Sequence, residues 1–328
     1  MSGYVGRLAP SPTGALHLGN VRTFMIAWLR ARSQGGKVIF RMEDLDHPKD
    51  KPGAAAQAVE DLRWLGFDWD EEYVQSERKA IYRQALEALR EGRETGDGRR
   101  GELVYPCVCT RRDVESAQSA PHAGEQLHYP GTCRGRFSSW QEALAFKNSQ
   151  LSTLNPQLPC WRFAVPEGTV VAFDDAFAGH CEQNVSKTLG DFPLARDEFG
   201  AGYTLACAVD DLLMGVTEVV RGDDLLPATP AQILLAKALR GCRTLDLRRE
   251  TLSYCHVPLV VGRDGKRLAK RHGDTRVATY RERGRRPEEI LGFLAASCGW
   301  AAKGEAVSLA DLLPRFDLDT IPHAPFMI

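Results

Sequence analysis

No apolar run in this chain approaches the ~18 to 20 residues that span a bilayer. The stretch from Met1 to Asn20 holds no continuous apolar segment ahead of a small-residue cleavage site. A cytoplasmic protein with no membrane partner is therefore expected. An excess of one charge is also missing. The 42 Lys and Arg residues meet 43 Asp and Glu, for a net charge near −1, so any polyanion must be held by a local patch rather than by the whole molecule. Repeats of fixed period and low-complexity tracts are absent. So are the Gly-x-x-x-x-Gly-Lys-[Ser/Thr], Gly-x-Gly-x-x-Gly, His-Glu-x-x-His and Gly-x-Ser-x-Gly signatures, which removes several common nucleotide, metalloprotease and hydrolase readings. The nine cysteines are odd in number and scattered except for Cys107, Cys109 and Cys133. Without a secretion signal they argue against a disulfide framework and leave metal binding as the reading of the cluster.

What is present is ordinary globular composition: 328 residues, 43% apolar and 26% charged, enough for two or three modules. The opening alternates a strand pattern at Tyr4–Ala9, a helix at Val21–Arg32, a strand at Lys37–Glu43 and a helix at Ala54–Leu65. That βαβα order predicts a parallel sheet with its ligand crevice beyond the carboxyl ends of the strands, just after Ala9 and Met42. The polar segment Glu91–Glu102 reads as an exposed loop. From Val104 to about Pro159 the alternation lapses, as in an insertion held by something other than a large core. Strands are then predicted at Trp161–Val165 and Tyr203–Val209, and a helix at Thr229–Leu239 with Pro230 near its start. A β-like run follows at His256–Gly262, with a tight turn at Asp264-Gly265. Pro287–Leu313 reads as helical with Gly interruptions.

Two stretches carry chemistry. After the first strand, Arg7-Leu8-Ala9-Pro10-Ser11-Pro12-Thr13-Gly14-Ala15-Leu16-His17-Leu18-Gly19-Asn20 leads into a helix. Its prolines fix the backbone, Gly14 and Gly19 let a flat ligand approach, and the new helix points N–H groups at an anion. Taken alone it is compatible with a simple turn. Towards the other end, Asp264 to Gly273 forms a compact basic loop, and Arg263 to Arg286 contains ten Lys or Arg against three Asp or Glu. This is the local patch that the neutral total conceals.

Together these stretches resemble the class I aminoacyl-tRNA synthetases. His17-Leu18-Gly19-Asn20 is similar to their His-Ile-Gly-His motif. Arg267-Leu268-Ala269-Lys270-Arg271 is similar to their Lys-Met-Ser-Lys-Ser loop, with Arg267 in place of Lys and Ala269 in place of Ser. Arg7 to Gly14, Arg41-Met42-Glu43-Asp44-Leu45-Asp46 and Arg221-Gly222-Asp223-Asp224 resemble the glutamyl branch. The resemblance implies an α/β fold: a Rossmann-like parallel sheet, a zinc-binding insertion, a small mainly helical C-terminal part and no anticodon-binding domain. It divides the chain into catalytic halves at 1–103 and 186–245, the insertion at 104–185 and a basic-loop and stem-contact part at 246–328.

By the same resemblance, ATP would lie against Pro10, Thr13, Gly14, His17, Gly19, Asn20, Arg267, Leu268, Ala269, Lys270 and Arg271, with His17 and Lys270 catalytic. L-glutamate would be held by Arg7, Ser11, Glu43, Tyr203 and Arg221, the arginine forks and the carboxylate that a dicarboxylic amino acid calls for. Asp44 and Asp46 are further candidates to attract Mg²⁺ near ATP. Without the resemblance, Arg41, Glu43, Asp44 and Asp46 would read as surface ion pairs.

Three thiolates on an irregular segment suit zinc, and a closed site needs a fourth ligand, for which Tyr129, His128 and His122 are all available and chemistry alone favours a histidine. The family resemblance selects Tyr129, because the glutamyl-queuosine tRNA(Asp) synthetases share a Cys-x-Cys followed by Tyr-x-x-x-Cys. Only 55 residues follow Gly273, which leaves no room for the anticodon-binding domain of a full glutamyl-tRNA synthetase. The expected activity is therefore that of the shortened group. Its members activate glutamate with ATP without needing tRNA and esterify it to the cyclopentenediol of queuosine in tRNA(Asp), here as a monomer. The competing readings are a noncatalytic RNA-binding paralogue, opposed by intact His17, Lys270 and Glu43, and a truncated enzyme that charges the acceptor end.

Overall fold

The structure, a computed structural model, describes residues 3–45, 51–94, 100–101, 103–117, 128–149, 158–242, 252–266, 268 and 274–328. Its first unit is the expected βαβαβ: β1 (Val5–Leu8), α1 (Leu18–Ser33), β2 (Lys37–Met42), α2 (Ala54–Trp64) and β3 (Glu71–Val74). All three strands pair in parallel, Val5 opposite Lys37 and Ile39 opposite Glu71. After its exposed first residue β2 is buried throughout, as a strand covered on both faces by crossover helices must be. α3 (Lys79–Arg90) follows, and then the short antiparallel pair β4 (Arg93–Glu94) and β5 (Arg100–Gly101) within the segment expected to be a loop.

The insertion contains β6 (Val104–Cys107), α4 (Arg111–Ala117), α5 (Trp140–Ser149) and β7 (Cys160–Phe163). The hairpin β8 (Val170–Asp175) and β9 (Gly179–Asn184), the short α6 (Val185–Thr188) and β10 (Phe192–Ala195) come next. β6, β7 and β10 make one antiparallel sheet. Under it a small cluster gathers Tyr105, Cys107, Val114, Tyr129, Cys133, Phe137 and Ala143. Val104, Trp161, Phe163 and Phe192 of the same sheet belong instead to a larger core shared with α3, α7 and α8.

The second half returns to α7 (Tyr203–Leu213), β11 (Glu218–Gly222), α8 (Thr229–Arg240) and β12 (Ser253–Val257). β11 pairs with β12 and β12 with β8, both in parallel. β11 lies alongside β1, with the Thr217 N–H donating to the Val5 carbonyl at 2.9 Å. The strands therefore run β3-β2-β1-β11-β12-β8-β9, and the winding reverses between β1 and β11. That reversal opens a crevice at the carboxyl ends of these two strands.

Tyr203–Val209, expected as a strand, is the first two turns of α7. Leu205, Ala206, Cys207, Ala208 and Val209 are all buried, and a helix enclosed on every side shows the same unbroken apolar run as a central strand. The run His256–Gly262 is likewise divided, into β12 and β13 (Val260–Val261), around Pro258, which has no N–H to offer a ladder.

The C-terminal part is α9 (Val277–Glu282), α10 (Pro287–Ala296), α11 (Leu309–Leu312) and β14 (Phe326–Met327), the last parallel to β13. The helical stretch predicted over Pro287–Leu313 is interrupted after Ala296, where Gly299 takes a φ of 83° that other residues rarely adopt. Ile290, Leu291 and Leu294 of α10 share one core with Val21, Met25 and Leu29 of α1, so the two ends of the chain fold as one body. Among the described residues no helix is long and apolar enough to cross a membrane.

Candidate active site and metal centre

At the crevice between β1 and β11 lies a cavity of about 410 Å³. Its lining brings together Pro10, Thr13, Gly14, His17, Gly19 and Asn20 with Arg7, Ser11, Glu43, Tyr203 and Arg221. Residues from opposite parts of the chain meet there, since Leu259 and Val260 also line it alongside Arg7 and Ala9.

His17 is the N-cap of α1, with extended backbone (φ −121°), and its N–H donates to Asn20 Oδ1 at 3.2 Å. A Cβ at position 19 would stand 3.1 Å from the His17 ring, so Gly19 is what lets the imidazole lie across the first turn. The His17 loop is stitched to the segment that follows the basic loop. The Leu18 N–H donates to the Thr275 carbonyl at 3.1 Å, the Val277 N–H donates to the Leu16 carbonyl at 2.9 Å, and His17 and Arg276 form an antiparallel bridge. Leu268 is buried. Arg267, Ala269, Lys270 and Arg271 lie outside the described residues, as does Asp46.

Glu43 follows β2, and its N–H donates to the Pro10 carbonyl at 2.9 Å. Far from forming surface pairs, Arg41 is wholly buried: Nη2 donates to Glu43 Oε1 at 2.9 Å and Nη1 to Asp211 Oδ1 at 2.6 Å. Burial works against its charge, but Asp211 and Glu43 outweigh that and hold its pKa well above the ordinary arginine value. The Cys207 thiol also donates to Glu43 Oε1, at 3.2 Å. Neighbouring Asp210 accepts from Gln75, Arg78 and Tyr82 at 2.7 to 3.0 Å.

Arg7 donates through Nη1 to the Val220 carbonyl at 2.8 Å. Its buried Nε has no hydrogen-bond acceptor among the described residues, and Asp211 Oδ1 is 3.8 Å away. A donor buried without an acceptor at the rim of a cavity suits a ligand oxygen. Arg221 donates from Nε to His256 Nε2 at 3.0 Å and from Nη2 to Thr229 Oγ1 at 2.7 Å. Tyr203 is 42% exposed at the first turn of α7. Asp44, a Mg²⁺ candidate on sequence grounds, is committed elsewhere, accepting from the Ser76 N–H at 2.8 Å and the Ser76 hydroxyl at 2.6 Å.

Four polar residues around the cavity had no signal strong enough to be singled out in the sequence. Asp210 and Asp211 follow directly on the run Tyr203–Val209 that was expected as a strand, and they fall in the last turns of α7 instead. His256 and Asp175 gave no local cue.

The thiols of Cys107, Cys109 and Cys133 all lie within 4.8 Å of one another. Cys109 and Cys133 sulfurs are 3.6 Å apart, and Tyr129 Oη is 3.2 Å from the Cys107 sulfur and 3.6 Å from that of Cys109. A tetrahedral ion with bonds of about 2.3 Å to sulfur spaces its ligands by about 3.8 Å, so the group fits a metal ion with only small shifts of its ligand atoms. The Cys133 N–H donates to Tyr129 Oη at 2.9 Å, and Arg162 Nε donates to the Cys107 sulfur at 3.2 Å while its guanidinium carbon stands 3.8 Å from the centre of the Tyr129 ring. Hydrogen bonding from Cys109 and Cys133, helped by Arg162, holds the Cys107 thiol well below the usual range. His128, a competing fourth ligand, is bonded instead to the Ser186 carbonyl at 3.0 Å. His122 lies outside the described residues.

Comparison with known proteins agrees with this geometry. Residues 5–320 match the family described as tRNA synthetases class I (E and Q), catalytic domain. The Glutamyl-Q tRNA(Asp) synthetase of Symbiobacterium thermophilum is 43% identical over 98% of this chain and 95% of its own length. The protein of the same name from Rhodopirellula baltica is 44% identical over 100% and 97%. A Glutamate–tRNA ligase from Aquifex aeolicus is 36% identical over 99% of this chain but only 64% of its own length. The crystal structure of a glutamate tRNA ligase from Elizabethkingia meningosepticum, in complex with its amino acid, aligns over 100% of this chain and 67% of that one, with a TM-score of 0.76 at 27% identity. The chain belongs to the class I (E and Q) tRNA synthetases, ligases that form an aminoacyl-adenylate, and within them to the glutamyl-Q tRNA(Asp) synthetase group.

Proposed function

We propose that the crevice binds ATP and L-glutamate side by side, forms glutamyl-adenylate without tRNA, and passes the glutamyl group to a hydroxyl of the queuosine cyclopentenediol in tRNA(Asp). The observation that carries this reading is the single cavity in which the His17 loop, the forks of Arg7 and Arg221, and the carboxylate of Glu43 all meet.

In the first step a glutamate α-carboxylate oxygen attacks the α-phosphorus of ATP. A C–O–P bond forms, the bond to the bridging oxygen breaks, and pyrophosphate leaves with its electron pair. Charge gathers on the phosphoryl oxygens, so the contribution needed from the protein is positioned donors rather than a base. His17 at the start of α1 supplies one side. Lys270 would supply the other, and Mg²⁺ on the phosphates would add charge neutralisation. Arg7 and Arg221 take the substrate carboxylates, Ser11 and Tyr203 add hydroxyls, and Glu43 takes the ammonium. In the second step a hydroxyl oxygen of the diol attacks the adenylate carbonyl, AMP departs and the hydroxyl proton is released.

A zinc ion held by Cys107, Cys109, Tyr129 and Cys133 would serve as a structural staple for the insertion. The division into catalytic halves at 1–103 and 186–245, insertion at 104–185 and stem-contact part at 246–328 belongs to the same proposal, with the enzyme working as a monomer.

ATP–pyrophosphate exchange measured with each amino acid in the absence of tRNA tests the first step. Exchange with glutamate alone is expected. Exchange with another amino acid, or with none, contradicts the proposed pocket.

A further inference from the structure

Three neighbouring parallel strands present Arg221, His256 and Asp175 side by side. Arg221 of β11 is the register partner of His256 on β12, and β12 pairs with β8 at Tyr254 and Asp175. We infer that His256, held by Asp175 in the tautomer that carries its proton on Nδ1, is the positioning residue that aims Arg221 at the substrate carboxylate. This inference rests on the proposed role of Arg221.

The proton count leaves one solution. His256 Nε2 faces both the Arg221 Nε–H and the Thr229 hydroxyl, each at 3.0 Å; arginine Nε can only donate, whereas a hydroxyl can donate or accept, so the nitrogen that satisfies both presents a lone pair. The imidazole proton is then on Nδ1, which donates to Asp175 Oδ2 at 2.6 Å. Asp175 cannot turn away, because its Oδ1 accepts the N–H groups of His256, Phe177 and Ala178 at 3.0, 3.0 and 2.8 Å. Burial alone would raise the Asp175 pKa, but the hydrogen bonds from His256 and these backbone groups bring it down to about 2. Burial, the leading cause, lowers that of His256. An anionic carboxylate beside a neutral imidazole is the state at neutral pH.

The choice of neutral partners has a consequence for charge. Arg41 is neutralised by Asp211 and Glu43. Among the described residues Arg221 has no carboxylate partner; its bonds go to an imidazole and to the hydroxyl of Thr229. Its orientation is fixed while its full charge is left for a ligand. His256, Asp175 and Thr229 are all buried, where an apolar trio would pack at no desolvation cost, so the polar chain calls for a reason beyond packing.

The test is the exchange assay, with KM for glutamate and for ATP measured separately in Asp175→Asn, His256→Phe, His256→Gln and Arg221→Gln. In Asp175→Asn the three backbone N–H groups keep the side-chain oxygen, so the amide NH₂ faces His256. The imidazole proton moves to Nε2, against the Arg221 Nε–H. Both Asp175→Asn and His256→Phe should raise the glutamate KM by about tenfold or more, as for a lost hydrogen bond to a charged group, while the ATP KM holds. His256→Gln, which returns an oxygen acceptor towards Arg221, should recover most of the loss. If Arg221→Gln raises the glutamate KM but Asp175→Asn and His256→Phe do not, or if they move both KM values together, the inference is overturned and the pocket survives. An unchanged glutamate KM in Arg221→Gln removes the pocket reading itself. The wild-type protein supplies a check independent of any variant: ¹⁵N NMR of the His256 ring should report the Nδ1–H form at neutral pH, and an Nε2–H or doubly protonated ring overturns the inference.

Discussion

Arg41 shows how far a side chain's meaning depends on where the fold puts it. In the sequence, Arg41-Met42-Glu43-Asp44 could be an ordinary charged surface; in the structure Arg41 is completely buried and joins Glu43 to Asp211. Removing its charge would leave carboxylates in a low-dielectric interior, so Arg41→Met should destabilise the protein by about 3 to 5 kcal/mol in urea unfolding. A midpoint equal to the wild type would show that Glu43 and Asp211 have other partners. Arg221→Ala should raise the glutamate requirement by the equivalent of about 2 to 5 kcal/mol, the typical loss when one member of a desolvated charge pair is removed. Lys270→Ala should suppress pyrophosphate exchange by about 3 to 4 kcal/mol of barrier, by analogy with a lost oxyanion donor, with circular dichroism unchanged. Undiminished exchange would remove Lys270 from the chemistry. Arg7, Ser11, His17, Glu43, Tyr203 and Arg221, which line the cavity, were readable in the sequence because the motifs that carry them resemble a known branch. Asp210, Asp211, His256 and Asp175 were not, since a buried partner is defined by a contact across strands or helices and leaves no local spacing to recognise.

At the scale of elements, strand and helix assignments were legible where the pattern had a period and flanking breakers, as in β1, α1, β2, α2 and α8. They failed at Tyr203–Val209, where complete burial erases the polar face that would distinguish a helix from a strand. The insertion depends on single positions more than the rest does. Gly190 has a φ of 65°, and a Cβ there would lie 2.2 Å from the Tyr129 carbonyl oxygen. The neighbouring Leu189 carbonyl accepts the Tyr129 N–H at 3.0 Å. Gly190→Ala should therefore displace Tyr129 and weaken metal retention against a chelator, and retention equal to wild type would separate Tyr129 from the metal site. Elemental analysis should find about one zinc per chain, lost in Cys109→Ser, whose hydroxyl is a poor replacement for a thiolate. Full occupancy in that variant would exclude Cys109 as a ligand.

For the whole molecule, the decisive arrangement is that the chain's beginning and its C-terminal part close on one another. β1 and α1 share a core with α10, and the His17 loop is hydrogen-bonded to Thr275 and Val277 just past the basic loop. Order along the sequence suggested that closure; only long-range contacts could display it. The cavity so formed faces the switch point of a doubly wound sheet and is lined by Arg7 and Arg221 together with the start of α1, which the proposed reading assigns to carboxylates and phosphate. The chain belongs to a family of ligases that form an aminoacyl-adenylate, and the central claim of the proposed function is which RNA hydroxyl receives the glutamyl group. The most direct measurement charges tRNA(Asp) with radiolabelled glutamate and cuts the product by ribonuclease into anticodon-loop and 3′-terminal fragments. Label should appear in the anticodon-loop fragment of queuosine-bearing tRNA(Asp) and vanish when guanosine replaces queuosine. Label on the 3′-terminal adenosine would contradict the proposed reaction.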